Sequence, residues 1–459
     1  MPSTRRVSLG FVLCAATSAA LGCADPAADA AGSVAAQAST PDGAATPAPT
    51  SSTSAAPRTA PTTSATDPAK PAAQAADASP KMCGDIVVPP RAYAKQAPHK
   101  LGPAAHGLPD YWPTKDWQTK PAAELGFDAQ KLEQAMAFST RAHNTQAMLV
   151  IRHGYVAFEK YVAPFAAGTR HESYSMAKSF TSSLVGIAID EGKLASTDEK
   201  ICKYYPSRWN CADSSDPRSR ITVEHAMNLS TGLEWKEDWR SFATGPNDAM
   251  ALGDMLDKAL GRKSVAEPGT TMRYSTGDPA LLTAVIQQSV GKTAYAYAKE
   301  KLFDVIGIAG VRWNQHPSGQ TTVFAGLSAT AREFAKFGYL YLRHGEWEGK
   351  QVVPGAWVDR TTKAEKPCSD WYRYLWHQNF ALRLGEQDRK CPVAFCQPTN
   401  FADVPADAFM AKGVFGQYVI IMPSEDLIIV RLAQDQMGSE HWDDWSQGVV
   451  PGVLGAIVK

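Results

Sequence analysis

Two apolar runs, each broken once by a turn, stand near opposite ends of the folded part of this chain. They constrain its architecture more than any other feature. "AMLVIRHGYVAFEKYV" places two strand-like segments around His153-Gly154, a short-hairpin signal. "GQYVIIMPSEDLIIVRLAQ" repeats the pattern around Pro423-Ser424-Glu425-Asp426. The sequence between and before them has helical spacing. "DAQKLEQAMAFSTRAH" opens on Asp128 as N-cap and carries Leu132, Met136 and Ser139 on one face. "TVEHAMNLSTGLEW" and "DPALLTAVIQQSVG" read as helices, the second stopped by Gly291. "ATAREFAKFGYLYLRHGEW" puts Phe334, Phe337, Leu340 and Tyr341 together, and a last helix is expected over about 442–458. Strands at both ends with helices in the middle predict an α+β domain. Its terminal strands share a sheet and its centre is a helical insertion. No internal repeat is present.

The first 84 residues belong to a different regime. Arg5 and Arg6 precede an apolar stretch, Val7 to Ala20, that is shorter than the roughly 20 residues a bilayer span needs. It ends in "ALGC", which is similar to a bacterial lipobox, although Ala20 stands where such boxes usually carry Leu. The expectation is a lipoprotein-type signal peptide over 1–22 and lipidation of Cys23, with a plain secretory signal as the alternative. Residues 23–84 are dominated by Ala, Pro, Thr and Ser. Such a segment buries too little apolar surface to offset ordering entropy. It is expected to be a tether of ~40–50 Å, holding the domain of residues 85–459 (core about 120–455) off a membrane. The expected location is a membrane-anchored or secreted exported protein.

Export makes the cysteines readable as disulfides. With Cys14 removed and Cys23 lipidated, Cys83, Cys202, Cys211, Cys368, Cys391 and Cys396 remain. Cys202–Cys211 is the first expected pair, and Cys368–Cys391 or Cys391–Cys396 is compatible with the rest. No CxxC or Cys/His spacing suggests zinc, so a metal is not expected. Forty-six basic residues balance 46 acidic ones, which removes any electrostatic argument for nucleic acid.

The chemistry concentrates in "SYSMAKSFTSSLVGIAIDEGKL". Ser175 and Lys178 stand three apart, ahead of Phe180, Leu184 and Ile187 at helical spacing. A serine hydroxyl needs a base to become a nucleophile, and a lysine pushed towards neutrality by burial can supply one. A spacing of three puts both on one helix face. A position at the helix start leaves the Ser175 N–H as an oxyanion donor. The bland alternative is a helix cap, and "SVGK" (Ser289 to Lys292) matches the same bare pattern. Two further elements follow. "PGTTMRYSTGDPALL" places Tyr274, a potential proton relay, just before a helix. "FMAKGVFGQYVIIMP" has Gly413 and Gly416 flanking a turn into a strand, where backbone can approach a ligand closely. The plain readings are a packed tyrosine and an ordinary bulge.

Taken in this order, the three elements resemble the serine β-lactamase and DD-peptidase superfamily, whose S-x-x-K motif carries the nucleophile. The likeness is closest to the class C β-lactamase-like branch that includes esterases and 6-aminohexanoate-dimer hydrolases. "SMAKSFTSSLVGIAI", "ITVEHAMNLSTGLEW", "PGTTMRYSTGDPALL", "EFAKFGYLYLRHGEWEGKQVVPGAWV" and "FGQYVIIMPSEDLIIVRL" carry it, over about 120–455. The resemblance implies an antiparallel sheet flanked by helices beside a mostly helical region, with the site at their junction. It implies Ser175 as acylated nucleophile, Lys178 as base and Tyr274 as proton relay, with no metal or organic cofactor needed. It also implies an oxyanion hole from the backbone N–H groups of Ser175 and Val414. Thr276, Lys412, Phe415, Gly416 and Gln417 are candidate substrate contacts. Two departures bear on substrate. Thr276 stands where class C enzymes carry Asn, and "AKG" replaces their Lys-Thr-Gly, so an ester or amide lacking the β-lactam carboxylate is favoured. A β-lactamase or D-alanyl carboxypeptidase is the second reading, and a non-catalytic binding lipoprotein of the same fold the third. The partner is a small-molecule or peptide-like substrate. Trp235, Trp239, Trp376 and Phe415 are cleft candidates that, taken singly, read as packing; Tyr174 and His225 read as structural.

Overall fold

Both expected hairpins are present, and they lie side by side in one sheet. In the computed structural model, which describes residues 110–237, 247–250, 255–363, 372–378, 404–405, 407–434 and 449–458, β1 (Thr145–Arg152) and β2 (Tyr155–Tyr161) meet at a tight turn. His153 (φ 53°) and Gly154 (φ 82°) take the left-handed conformation that a two-residue hairpin loop requires. Four more strands, β3 (Tyr372–Arg373), β4 (Trp376–Gln378), β5 (Phe409–Gly413) and β6 (Gln417–Met422), lead to β7 (Leu427–Ala433). β6 and β7 are joined by a helical turn over Pro423–Glu425 that closes on Asp426 at φ 46°. β1 pairs antiparallel with β7, Thr145 opposite Ala433 and Arg152 opposite Leu427. The sheet runs β2-β1-β7-β6-β5-β4-β3, antiparallel throughout. The shared sheet of the two terminal hairpins is therefore present, and the helices between them are inserted beside it.

Both faces of the sheet are covered. Ala147, Leu149, Ile151, Val419, Ile421, Ile428 and Val430 belong to one core, with α2 (Ala177–Asp190) and α3 (Ala331–Leu342). Met148, Val150, Ile420 and Ile429 face the other core, against α1 (Ala129–His143) and α4 (Val449–Gly455). Two-sided burial explains why these strands read as continuous apolar runs rather than alternating ones. Asp128 caps α1 by accepting from the N–H groups of Gln130 (2.9 Å) and Lys131 (3.2 Å). Thr330 and Glu333 close a capping box on α3, and Phe334, Phe337, Leu340 and Tyr341 are all fully buried. Gly338 lets α3 lie on the sheet, because a Cβ there would come within 2.7 Å of Val419.

Three expectations are adjusted. "TVEHAMNLSTGLEW" is helical only over Val223–Met227; Leu229 (φ 52°) and Gly232 (φ 75°) turn the chain away, which delivers Trp235 and Glu237 to the interior. "DPALLTAVIQQSVG" forms two consecutive segments, Gly277–Ala280 and Leu282–Val290, ending at Gly291 (φ 69°). The last helix is seen as α4; 442–448 lie outside the described residues. The Cys202–Cys211 disulfide is present, with Cα atoms 5.4 Å apart. The leader, Cys23, the tether, Cys83, Cys368, Cys391, Cys396 and Trp239 all lie outside the described residues. Among the described residues, no helix is long and apolar enough to cross a membrane, and no cluster of His, Cys, Asp or Glu could hold a metal ion.

Candidate active site

Ser175 sits in a 3-10 turn, Tyr174–Met176, that runs straight into α2. Tyr174 enters at φ 47°, a conformation that a non-glycine residue holds only when its surroundings impose it. Here the Glu172 carboxylate does so. It accepts from the Tyr174 N–H (3.2 Å), the Gly326 N–H (2.9 Å) and the Ser328 hydroxyl (3.2 Å). The Met176 N–H returns to the Ser173 carbonyl at 3.1 Å. The Ser175 N–H precedes that bond and has no acceptor within the turn.

Lys178, in the first turn of α2, is fully buried, and its Nζ lies 2.7 Å from Ser175 Oγ. Burial pushes its pKa down to about 8, against the opposing pull of the Glu237 carboxylate. The competing pair is not assembled: the Ser289 hydroxyl meets Tyr204 (3.2 Å), while Lys292 pairs with Glu300 (2.6 Å). Tyr274 is part-buried and has its ring centroid 5.5 Å from Lys178 Nζ. Burial and the Glu237 charge push its phenol up, and only the Ser175 contact acts the other way. At neutral pH it therefore keeps its proton. Lys178 is the one of the two biased towards its basic form.

Two carboxylates that motif reading missed organise this centre. Glu237 is buried, and its Oε2 accepts from the Trp235 indole N–H (2.9 Å) and the Thr276 N–H (2.6 Å). Its Oε1 accepts the Thr276 hydroxyl at 2.8 Å, and Lys178 Nζ lies 3.3 Å from that same hydroxyl. Asp278 accepts from the Ser275 hydroxyl (2.8 Å) and the Thr231 N–H (3.2 Å), and burial pushes its carboxyl up to about 7. It ties the tyrosine motif to the turn after the shortened helix. Each joins a near neighbour, Trp235 or Ser275, to a segment about 40 or more positions away, Thr276 or Thr231, and that distant contact leaves no local pattern.

The Beta-lactamase family model matches residues 129–447. The chain belongs to the Beta-lactamase family. Among curated relatives, 6-aminohexanoate-dimer hydrolase from Paenarthrobacter ureafaciens is 23% identical over 340 residues, covering 68% of this chain and 79% of that protein. Among solved structures, the D-alanine carboxypeptidase AmpC from Burkholderia cenocepacia aligns with a TM-score of 0.52 at 17% identity, over 73% of this chain and 99% of the other. EstCE1, a hydrolase with promiscuous acyltransferase activity, aligns at 0.55 and 14% identity, over 74% and 99%. These two likenesses are of fold.

In this Beta-lactamase family chain the third motif packs against the turn that carries Ser175. A Cβ on Gly413 would lie 2.1 Å from the Ser173 carbonyl oxygen, so the bare backbone is what allows β5 to reach that turn. Two residues on, Phe415 (φ 63°) sets its ring edge-on against Tyr174, with centroids 5.0 Å apart. These contacts lie on either side of Val414 in the chain. The turn is braced from behind. Gln417 donates its amide to the carbonyls of Phe415 (3.1 Å) and Ala433 (2.6 Å). The buried Arg431 reaches the carbonyls of Gly416 (3.5 Å) and His143 (2.6 Å). Of the five candidate substrate contacts, Thr276 and Gln417 are therefore buried and engaged internally, and Gly416 shapes the turn. Phe415 and Lys412 are the part-exposed ones, Lys412 Nζ lying 5.4 Å from the Tyr418 ring centroid. Trp376 is core, 4.3 Å from Tyr341 and stacked on Phe337 at 5.6 Å between centroids. Trp235 packs on Gly277 and anchors Glu237, and His225 completes a capping box with Thr222. Tyr174, read as structural, stands at the site. Tyr372 and His377 adjoin it too: the Tyr372 ring is 5.7 Å from Tyr274 and 4.6 Å from His377. Burial and the nearby Lys412 and Lys178 charges hold His377 neutral.

Proposed function

We propose that this protein is an exported serine hydrolase that cleaves an ester or amide through a Ser175 acyl-enzyme. The observation that carries the reading is the 2.7 Å contact between Ser175 Oγ and a fully buried Lys178 whose pKa lies near 8. Roughly a tenth of such lysines are neutral at pH 7, against almost none at an ordinary pKa. Neutral Lys178 takes the Ser175 proton as Oγ attacks the substrate carbonyl carbon. The oxyanion is met by the N–H groups of Ser175 and Val414. Collapse expels the leaving group, which takes a proton from Tyr274, and Lys178 returns one to the phenolate. Water then attacks the acyl carbon, losing its proton along the same path, and Ser175 leaves reprotonated. Thr276 in place of Asn and Lys412-Gly413 in place of Lys-Thr-Gly favour a substrate without the β-lactam carboxylate.

Against p-nitrophenyl butyrate, the purified protein is expected to turn over and Ser175→Ala to fall by at least about a thousandfold, the scale on which covalent triads lose activity. A chromogenic cephalosporin run in the same buffer is expected to be cleaved poorly. Unchanged esterase activity in Ser175→Ala would remove the mechanism, and rapid cephalosporin turnover would replace the ester or amide reading with that of a β-lactamase.

The export arm of the proposal rests on Arg5, Arg6, the apolar stretch and "ALGC". In a bacterial host, the protein is expected in the membrane fraction, carrying an alkyne-palmitate label. Cys23→Ser is expected to lose the label and become soluble; a variant that stays labelled rules out Cys23 as the anchor.

A further inference from the structure

Beyond the three motif residues, we propose that Glu237 is a positioning residue that dictates the polarity of the Thr276 hydroxyl and thereby aims the Lys178 amine at Ser175. The inference rests on the reading of Ser175 and Lys178 as nucleophile and base. It begins with hydrogen-bond capacity. An ionised carboxylate only accepts, and Glu237 receives the Trp235 indole N–H, the Thr276 N–H and the Thr276 hydroxyl. A threonine hydroxyl has one proton. With Glu237 Oε1 at 2.8 Å, that proton is committed to the carboxylate, and only lone pairs face Lys178 Nζ at 3.3 Å. Lys178 must therefore donate to Thr276.

A neutral amine has two protons and one lone pair. Once one N–H is held by Thr276, the tetrahedral geometry of Nζ leaves the lone pair free to receive the proton of Ser175 Oγ, 2.7 Å away. Without Glu237, the Thr276 hydroxyl can turn round and donate into the lysine lone pair, which silences the base. The carboxylate itself is fixed. Trp235 is held in the interior, its ring so close to Gly277 that a Cβ there would come within 2.5 Å. The groups facing Lys178 are Ser175, Thr276, Tyr274 and Glu237, with His377 further out; Asp278, Tyr274 and Tyr372 face Glu237. Glu237 is the one whose charge favours the lysine ammonium.

Three variants of the full chain test this. Thr276→Val keeps the shape and deletes the hydroxyl; kcat for p-nitrophenyl butyrate is expected to fall about 10- to 100-fold, the cost of a misaimed catalytic group. KM should stay within about twofold, and Thr276→Ser should recover most of the loss. Glu237→Gln removes the charge that raises the Lys178 pKa, so the acid limb of the kcat/KM profile should move to lower pH while kcat falls. A merely structural role would lower melting temperature and kcat together and leave the limb in place. Labelling of wild type but not Ser175→Ala by a fluorophosphonate establishes the nucleophile separately. With that established, wild-type kcat in Thr276→Val, or an unmoved acid limb in a folded Glu237→Gln, overturns the role of Glu237; labelling of Ser175→Ala overturns the underlying reading instead.

Discussion

Lys178→Met is expected to abolish turnover and raise the melting temperature in the same protein. The loss follows from removing the base that holds the Ser175 proton, worth about 10²–10⁴ in rate for a positioned acid–base group. The gain follows from burial. Lys178 is fully enclosed in the first turn of α2, and its pKa falls from 10.5 to about 8. The folded state thus binds this proton less tightly than the unfolded chain. The penalty is complete below pH 8 and fades as pH rises towards 10.5, so wild-type stability gains from this group across that window. At about 1.4 kcal/mol per pKa unit the ceiling near pH 7 is ~3 kcal/mol. Met has a similar length and no charge. Losing the contacts to Ser175 and Thr276 lowers the expected gain to about 1–2 kcal/mol, a few degrees in melting temperature. Thermal melts of both proteins from pH 6 to 10, read beside esterase assays, check it. The gap should narrow as pH rises. A Met variant less stable at every pH would mean that Lys178 is held as a stabilising ion.

Gly413→Ala is the second large effect. Gly413 does not need a glycine conformation, since its φ is not positive, so the variant tests steric approach alone. The new methyl would meet the Ser173 carbonyl oxygen at 2.1 Å and Gln417 Cβ at 3.2 Å. β5 cannot retreat, because it is bonded to β4 on one side and β6 on the other. The turn that carries Ser175 must give way, and with it the proposed oxyanion hole of the Ser175 and Val414 N–H groups. Overpacking of this kind costs about 1–3 kcal/mol, and a shift near 1 Å in a reacting group costs about a hundredfold in rate. The expected result is a kcat loss of that order with a lowered melting temperature. Gly168→Ala, where a Cβ would meet nothing within 4 Å, is the neutral control. Wild-type kcat in Gly413→Ala would show that the β5 approach does not set the oxyanion geometry.

Much of the site was legible because its signals are local. Ser175 and Lys178 lie one helical turn apart, so their spacing alone brings Oγ and Nζ together once a helix forms. Asp128 caps the turn that directly follows it, and the Cys202–Cys211 loop is short enough to close on itself. The competing Ser289 and Lys292 illustrate the limit of spacing. Gly291 ends the helix between them at φ 69°, and each side chain finds another partner. Motif order along the chain located Tyr274 and the Gly413–Gly416 turn, but gave no account of what either one touches.

The sequence by itself determined which segments could be strands or helices, because apolar runs, helical spacing, caps and turn residues act over a few positions. It also determined the pairing of Ser175 with Lys178, which is a property of one helical turn. Only the tertiary structure decided that Glu237 orients Thr276, that Gly413 serves the Ser173 carbonyl, and that Gln417 and Arg431 brace the turn from behind. It likewise decided that Trp376 belongs to the core. Each of these depends on packing between separate segments, through which a residue acquires partners from other parts of the chain, and a desolvated carboxylate or a missing methyl takes on its role only when those partners close around it.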